Sequence, residues 1–251
     1  MLEPFRMMFP DVTYVVGLAN GAAEIQSYTR NLQECRSLAD SQNVLLTGAF
    51  QDWRYFDDAI VDGLFAYPEE ARRSNERRYG ELLRRENLVS IHVRREDYLR
   101  LAHRHPFVGE QYLRSALRRF GEKHDYLVCS DDLKWCRRFF VSSVFPGYRF
   151  HFIEGGDCIS DLYIPAHCRH NIISNSTFGW WGARLNRHRD RQVVMPGMWF
   201  GLAMSERHPN RLYWPGVTVV DNGYSPGLWL RAQGCRFRER LGKLLRRRDA
   251  M

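Results

Sequence analysis

The chain has 251 residues, of which 44% are hydrophobic and 14% aromatic, and a formal net charge of +8. This is enough for one large or two small globular domains with a packed core. No apolar run approaches the roughly 20 residues that cross a bilayer, and the first residues lack the regions of a signal peptide, so we expect a cytoplasmic setting. The positive charge is accompanied by no zinc-finger, RRM-type or heptad pattern, so we expect no nucleic-acid partner.

Residues 1–86 have a less regular pattern than the rest of the chain. Their apolar spacing predicts a strand at 13–16, a helix over 22–39, a strand at 44–46 and a helix from about Trp53. A charged helix over 69–85 then leads into the second part of the chain. We interpret residues 1–86 as a small N-terminal α/β lobe.

From residue 87 onward, short apolar strands alternate with amphipathic helices. The predicted strands are residues 88–93, 126–129, 150–153, 171–174 and 192–195. Between them, apolar residues recur at helical spacing, as in 112–120 and 133–140. This βαβ order predicts a mainly parallel sheet with helices on its faces, in a second lobe that spans residues 87–230.

Residues 231–251 form a basic amphipathic tail, which could lie on an anionic membrane surface or dock on the body of the protein. The six cysteines show neither a C-x-x-C pair nor zinc-ligand spacing, and we expect them to be mostly buried thiols.

Two polar stretches follow predicted strands and carry most of the functional information. Arg94 and Arg95 come directly after strand 88–93, and adjacent guanidinium groups suit a multiply charged phosphate. Residues 174–182 supply hydroxyls and backbone N–H groups where a helix should begin, and a helix N-terminus attracts anions. Together they predict a diphosphate site, whereas plain surface arginines and helix capping are the structural alternatives.

Five elements occur in an order and spacing that match a known family. They are His92-Val93-Arg94-Arg95-x-Asp97-Tyr98, His105-Pro106, Ser130-Asp131-Asp132 with Trp135-Cys136, Asp161-Leu162-Tyr163, and Asn171-Ile172-Ile173-Ser174-Asn175-Ser176-Thr177-Phe178 leading into Trp180-Trp181. Over residues 45–199 the chain resembles the α-1,2-fucosyltransferases that use GDP-L-fucose, glycosyltransferase family eleven. Two departures are Glu96, where the family often has glycine, and the family's glycine-rich N-terminal loop, of which residues 17–21 are only a faint echo.

The resemblance implies an α/β, GT-B-like fold of two Rossmann-type lobes, with a small or incomplete N-terminal lobe. It implies inverting transfer of L-fucose from GDP-β-L-fucose to a glycan hydroxyl, such as the 2-hydroxyl of a terminal β-galactose, in surface-polysaccharide synthesis. The alternative is an inactive, truncated homologue that binds GDP or glycan without turnover. The expected location is the cytoplasm or the inner membrane face of a bacterium, or the Golgi membrane of a eukaryote if an N-terminal anchor is missing.

By resemblance, the catalytic residues are Arg94, Arg95 and Asp97. The arginines would pair with the β-phosphate, and Asp97 would fix them or approach the sugar. The donor-binding residues would be His92, Asp131, Asp132, Asn175, Ser176, Thr177 and Phe178. His92 could instead be a satisfied core histidine, and the two aspartates could bind base or ribose or cap the next helix. No metal or other cofactor is expected, and the base remains open among Asp97, Glu96, His103 and His105.

Overall fold

The computed structural model describes residues 23–26, 44–47, 52–56, 58–204 and 209–222, with a few single positions after them. The predicted strand at 13–16, the loop at 17–21 and most of the tail lie outside these residues. The described residues form two compact units. The smaller contains those up to Pro68 and Asn210–Trp214, and the larger contains those from Glu69 to Pro209 and from Pro215 onward.

In the smaller unit, strands β1 (Ala23–Gln26) and β2 (Val44–Thr47) pair in parallel. A 3-10 turn at Trp53–Tyr55 and helix α1 (Asp58–Leu64) follow. The predicted helix over 22–39 is therefore wrong at β1, because β2 offers this short segment a hydrogen-bonding partner that local spacing does not reveal.

The larger unit contains a six-stranded parallel sheet in the order β5-β4-β3-β6-β7-β8. Its strands are β3 (Leu88–Val93), β4 (Asp125–Ser130), β5 (Arg149–Phe152), β6 (His170–Ile173), β7 (Val193–Pro196) and β8 (Thr218–Val220). Its helices are α2 (Glu69–Leu83), α3 (Glu110–Phe120), α4 (Leu133–Phe139), α5 (Cys158–His167) and α6 (Thr177–Arg184), with a 3-10 turn at Leu202–Met204. The five predicted strands and the α/β class are confirmed. Because α2 belongs to this unit, the unit boundary falls before that helix, whereas we predicted a domain boundary after residue 86.

The order in which strands are added to this parallel sheet reverses between β3 and β6. From β3 the chain proceeds outward through β4 to β5, then returns to β6 on the other side of β3 and continues to β8. In sheets of this kind, ligands bind at the carboxyl ends of the strands where the order reverses. From this topology we expect a ligand site at the residues that follow Val93 and Ile173.

Alternate residues of β3 face different helix layers. Val89, Ile91 and Val93 belong to a core cluster with α3 and α4. On the other side, the amide Nδ2 of Asn171 donates a hydrogen bond to Oγ of Ser90. The same nitrogen lies 2.7 Å from the carbonyl of Pro165 in α5. Burial on both faces explains why the sequence of β3 is mostly apolar.

Helix α5 begins at Cys158, where the carboxylate of Asp157 accepts hydrogen bonds from the N–H groups of Ile159 and Ser160. It contains Pro165 and continues to His167. Of the described cysteines, Cys129, Cys136 and Cys168 are buried free thiols, as predicted, and Cys158 is exposed. No helix in the described part of the chain is long and apolar enough to cross a membrane.

At the opposite, amino edge of the sheet, a buried carboxylate connects β4 to its neighbours. The side chain of Asp125 is 4% exposed and accepts a 2.7 Å hydrogen bond from Nε of Arg149, while Arg85 lies 3.3 Å from its other oxygen. Burial alone would raise the pKa of Asp125, but the hydrogen bonds and charges of Arg149 and Arg85 outweigh it and lower the pKa.

We expect Asp125→Asn to lower the free energy of unfolding by about 1–3 kcal/mol at pH 7, because it weakens buried hydrogen bonds to charged donors. Since the folded pKa lies below the unfolded one, this stability is present above the unfolded pKa and is lost as pH falls through the folded pKa. Urea unfolding at pH 7 and at pH 3 measures this. The difference in the free energy of unfolding between variant and wild type should be smaller at pH 3. Asp190→Asn, at an exposed carboxylate paired with Arg169, is the control.

Candidate functional site

The carboxyl ends of β4, β3 and β6 are connected by a set of side-chain hydrogen bonds. The backbone N–H of Arg94 donates to Oγ of Ser174, 3.1 Å away, and the hydroxyl of Tyr98 donates to the carbonyl of Asn175, 2.9 Å away. From the β4 side, the two carboxylate oxygens of Asp131 accept the next two N–H groups of the β3 loop. The predicted motifs at 92–98, 130–132 and 174–178 therefore meet at the point where the sheet reverses.

Arg94 presents its guanidinium at this edge and is 39% exposed. Its Nε and an Nη donate to the two oxygens of Asp97 at 2.9 and 3.0 Å, and Nε lies 3.3 Å from Asp131. The hydrogen bonds that Arg94 donates to Asp97 raise the pKa of Arg94 against the opposing effect of burial. Asp97 thus fixes the arginine, which is one of the two roles we considered for it.

Arg95 takes a different direction. Its guanidinium carbon lies 3.9 Å from the centre of the Trp135 ring, its Nε donates to Asp132 at 3.2 Å, and the side chain is only 12% exposed. The structure therefore does not present the two predicted phosphate ligands side by side. Arg94 is the more accessible of the two.

Asp131 and Asp132 both accept hydrogen bonds from backbone N–H groups of the protein itself. Asp131 binds two backbone N–H groups, as described above, and Oδ1 of Asp132 accepts the N–H of Trp135, which caps α4. Helix capping, the structural alternative for Asp132, is thus observed. Recognition of base or ribose by either residue remains a prediction.

His92 is 6% exposed and lies below this loop, with Nδ1 2.9 Å from Oγ of Ser174. Burial, assisted by the charge of Arg94, lowers its pKa to about 3. The ring is therefore neutral at pH 7, and the Ser174 hydroxyl, which accepts from Arg94, can donate to Nδ1. His92 supports the loop from within the core, which excludes it as a proton acceptor with a pKa near 7.

Close packing of α6 on β3 places the N-terminus of this helix beside His92. A Cβ at Gly179 would lie 2.7 Å from Nδ1 of His92, so only glycine allows this approach without a shift. The ring of Phe178 packs against that of His92, with centroids 5.4 Å apart. Phe178 is partly buried, and its predicted position beside a nucleotide remains a prediction.

The N-terminus of α6 receives no side-chain cap. Ser176 is the N-cap residue but its side chain makes no capping hydrogen bond, whereas α4 and α5 are capped by aspartates. Thr177, the first residue of the helix, is exposed. The side chain of Asn175 is buried and donates to the carbonyl of Trp199 at 3.0 Å, so its amide supports the turn after β7. The backbone N–H groups at the start of α6 are the part of this motif that best suits an anion.

Among the possible bases, His103 is buried, and His105 stacks on Tyr98 with ring centroids 5.1 Å apart. Asp97 is paired with Arg94, and Glu96 is exposed. Counting formal charges, the two arginines face four carboxylates at Glu96, Asp97, Asp131 and Asp132. The site thus offers an anion a well-oriented guanidinium and a helix N-terminus rather than a strong positive field.

Asp161 is a candidate functional residue that our sequence-based site did not include. It lies in the first turn of α5, at the same edge of the sheet, and its Oδ1 is buried without a hydrogen-bond partner. Burial and the charge of Asp157 raise its pKa, while Arg78 opposes the increase. A carboxylate that lacks a donor can accept N–H groups from a ligand. Its place in the first turn of a helix after a strand was the signal in the sequence.

Within the described residues, no group of three His, Cys, Asp or Glu side chains is arranged to hold a metal ion. The larger unit is a doubly wound parallel sheet with an oriented arginine and an uncapped helix N-terminus at its reversal point, an arrangement that suits an anionic ligand. The sequence profile of glycosyl transferase family 11 matches residues 24–211, and the chain belongs to this family.

Three relatives illustrate the range of similarity. The chain is 35% identical over 123 residues to the O-antigen biosynthesis glycosyltransferase WbnK of Escherichia coli, which covers 45% of this chain and 39% of that protein. It is 30% identical over 126 residues to an α-1,2-colitosyltransferase of Escherichia coli, with coverage of 48% and 43%. It is 28% identical over 203 residues to galactoside α-(1,2)-fucosyltransferase 1 of Leontopithecus chrysomelas, with coverage of 72% and 53%. The match thus spans less than half of the two bacterial relatives.

Solved structures of fucosyltransferases show a distant similarity. The NodZ α-1,6-fucosyltransferase soaked with GDP-fucose matches with a TM-score of 0.41 and 17% identity, covering 61% of this chain and 56% of that one. POFUT1 in complex with GDP matches with a TM-score of 0.44 and 16% identity, covering 64% and 56%.

Proposed function

We propose that this chain carries the donor site of an inverting α-1,2-fucosyltransferase that uses GDP-β-L-fucose. The observation that carries the proposal is the oriented Arg94 beside the uncapped N-terminus of α6, in a chain of glycosyl transferase family 11. The names of the relatives, which include α-1,2-colitosyl and galactoside α-1,2-fucosyl transferases, support both the linkage and a terminal galactose acceptor.

In this mechanism the acceptor hydroxyl attacks C1 of fucose from the face opposite to GDP and passes its proton to a general base, while GDP leaves with the bonding electron pair. The candidates for this base are Glu96, Asp97, His103 and His105. Arg94 would bind the β-phosphate and stabilise the negative charge that develops as the bond breaks. The first N–H groups of α6 would bind the same diphosphate. Asp97 and Asp131 hold the guanidinium in place before the donor arrives, which reduces the reorganisation needed in the transition state.

The direct test is a transfer assay with GDP-fucose and a β-galactoside acceptor, with the product linkage determined by NMR spectroscopy. We expect the product to contain an α-1,2 linkage. GDP-mannose is the control donor. Binding of GDP without transfer to any β-galactoside would favour the inactive homologue instead. The location of the protein on the inner face of a bacterial membrane is part of the same proposal, and co-sedimentation with membranes tests it.

Asp161 is expected to recognise the purine. Guanine carries two neighbouring donors, N1–H and the 2-amino group, that a carboxylate can accept together. We therefore expect Asp161→Asn to weaken GDP binding about 10- to 100-fold, the range for one hydrogen bond to a charged group. Titration calorimetry with GDP and with IDP, which lacks the 2-amino group, measures this. A variant that still prefers GDP over IDP as strongly as wild type would contradict this role.

A further inference from the structure

Helix α2 lies outside the motifs that define the donor site, yet two of its side chains hold the loop in front of α5 and a third contacts α5 itself. Arg78 donates to the carbonyls of Glu154 and Gly155, the latter 3.2 Å away. The hydroxyl of Tyr79 accepts the N–H of Glu154 at 3.0 Å. Asn75, which is buried, donates to the carbonyl of Ser160 at 3.0 Å. The loop at 153–157 is thus attached to α2 on one side.

On its other side this loop lies against Asp161. Gly155 has a φ of +59°, a conformation that favours glycine. A Cβ at Gly156 would lie 2.3 Å from Oδ1 of Asp161, so the glycine lies directly beside the carboxylate oxygen that has no hydrogen-bond partner. A shift of this loop would therefore change the space around the carboxylate and the direction in which it points.

We propose that Arg78 is a positioning residue for the donor, because it holds the loop at 153–157 against Asp161 and so sets the preference of the site for guanine. This inference rests on the proposed function, in which Asp161 accepts the purine N–H groups. It adds α2 to the donor site through contacts with the loop, without requiring that Arg78 touch the nucleotide.

The charges around Asp161 support this role. Burial is the main cause of its raised pKa, and Asp157, the N-cap of α5, adds to it. Arg78 on α2 is the positive charge that opposes this increase, and on the β4 side the neighbour is the buried thiol of Cys129. Removal of Arg78 should therefore raise the pKa of Asp161 further. Because guanine binds the ionised carboxylate, GDP binding should then weaken at a higher pH as the solution is acidified.

The test compares Arg78→Met with Arg77→Met, which removes an exposed arginine from the adjacent position of the same helix. Dissociation constants for GDP and IDP are measured by calorimetry between pH 5.5 and 8, together with melting temperatures. We expect Arg78→Met to reduce the GDP-to-IDP preference at least about fivefold, part of the effect of one hydrogen bond to a charged group. It should also raise the pH below which GDP binding weakens. Arg77→Met should change neither the GDP-to-IDP preference nor this pH. Arg78→Lys, which keeps the charge, should return the pH dependence of GDP binding to that of wild type.

The proposal is overturned if Arg78→Met keeps both the wild-type preference and the wild-type pH profile. It is also overturned if the variant loses GDP and IDP affinity equally and melts at a lower temperature, because that pattern indicates a purely structural role. If wild type itself binds GDP and IDP equally, the proposed guanine recognition fails, and this inference fails with it. The wild-type titration therefore separates failure of the proposed function from failure of the inference.

Discussion

Replacement of Arg94 by alanine is expected to reduce fucosyl transfer at least about 100-fold, the usual effect of removing one group that stabilises developing charge. The guanidinium is held by Asp97 and Asp131 at the reversal point of the sheet, where the leaving phosphate would lie. The side chain is 39% exposed and Asp97 is 36% exposed, so loss of their ion pair should change stability little.

The measurement is the initial rate of transfer at saturating donor, together with the melting temperature. Arg100→Ala, in the same loop and at an exposed residue, is the matched control and should behave like wild type. Arg94→Lys keeps the positive charge but loses the paired geometry of the guanidinium, so it should recover only part of the rate. Transfer by Arg94→Ala at the wild-type rate would contradict the assignment of the phosphate to this residue.

Asp131→Asn is expected to produce the second large effect. The two oxygens of Asp131 accept the N–H groups of Arg95 and Glu96 at 2.8 and 3.2 Å, and an amide replaces one of these acceptors by a donor. The loop would lose its fixed path, and kcat/KM should fall about 10- to 100-fold, as expected for loss of hydrogen bonds worth about 1–3 kcal/mol.

Asp132→Asn provides a close comparison, since asparagine caps a helix about as well as aspartate does. It keeps the α4 cap and removes only the charge beside Arg95, so we expect a smaller effect on kcat/KM. Equal, small effects of both substitutions would show that the backbone contacts of Asp131 do not position the arginine loop.

The sequence predicted the central strands β4, β3, β6 and β7 well because they are buried on both faces, whereas the partly exposed edge strand β8 was not predicted. Such strands are nearly continuous apolar runs with polar residues at their ends, so both their positions and the functional edge follow from composition. Segment 22–39 shows the opposite case. Its apolar spacing favours a helix, but residues 23–26 pair with β2, a contact that local spacing cannot indicate.

The sequence predicted which motifs meet at this edge of the sheet, but not the directions of their side chains. Arg94 and Arg95 are adjacent, and successive side chains of an extended segment point to opposite sides. One guanidinium therefore remains at the edge while the other stacks on Trp135. The contacts of Arg78 with the loop at 153–157 join residues more than 70 positions apart, and no motif or spacing in the sequence indicates them.

The most direct test of the donor site is titration of the purified chain with GDP, GMP and ADP in buffer that contains EDTA. We predict that GDP binds, that GMP binds at least about tenfold more weakly because it lacks the β-phosphate that Arg94 should contact, and that ADP does not compete. A well-folded sample that binds none of the three, or that binds all three equally, would contradict a guanine-nucleotide diphosphate site at the reversal point of the sheet.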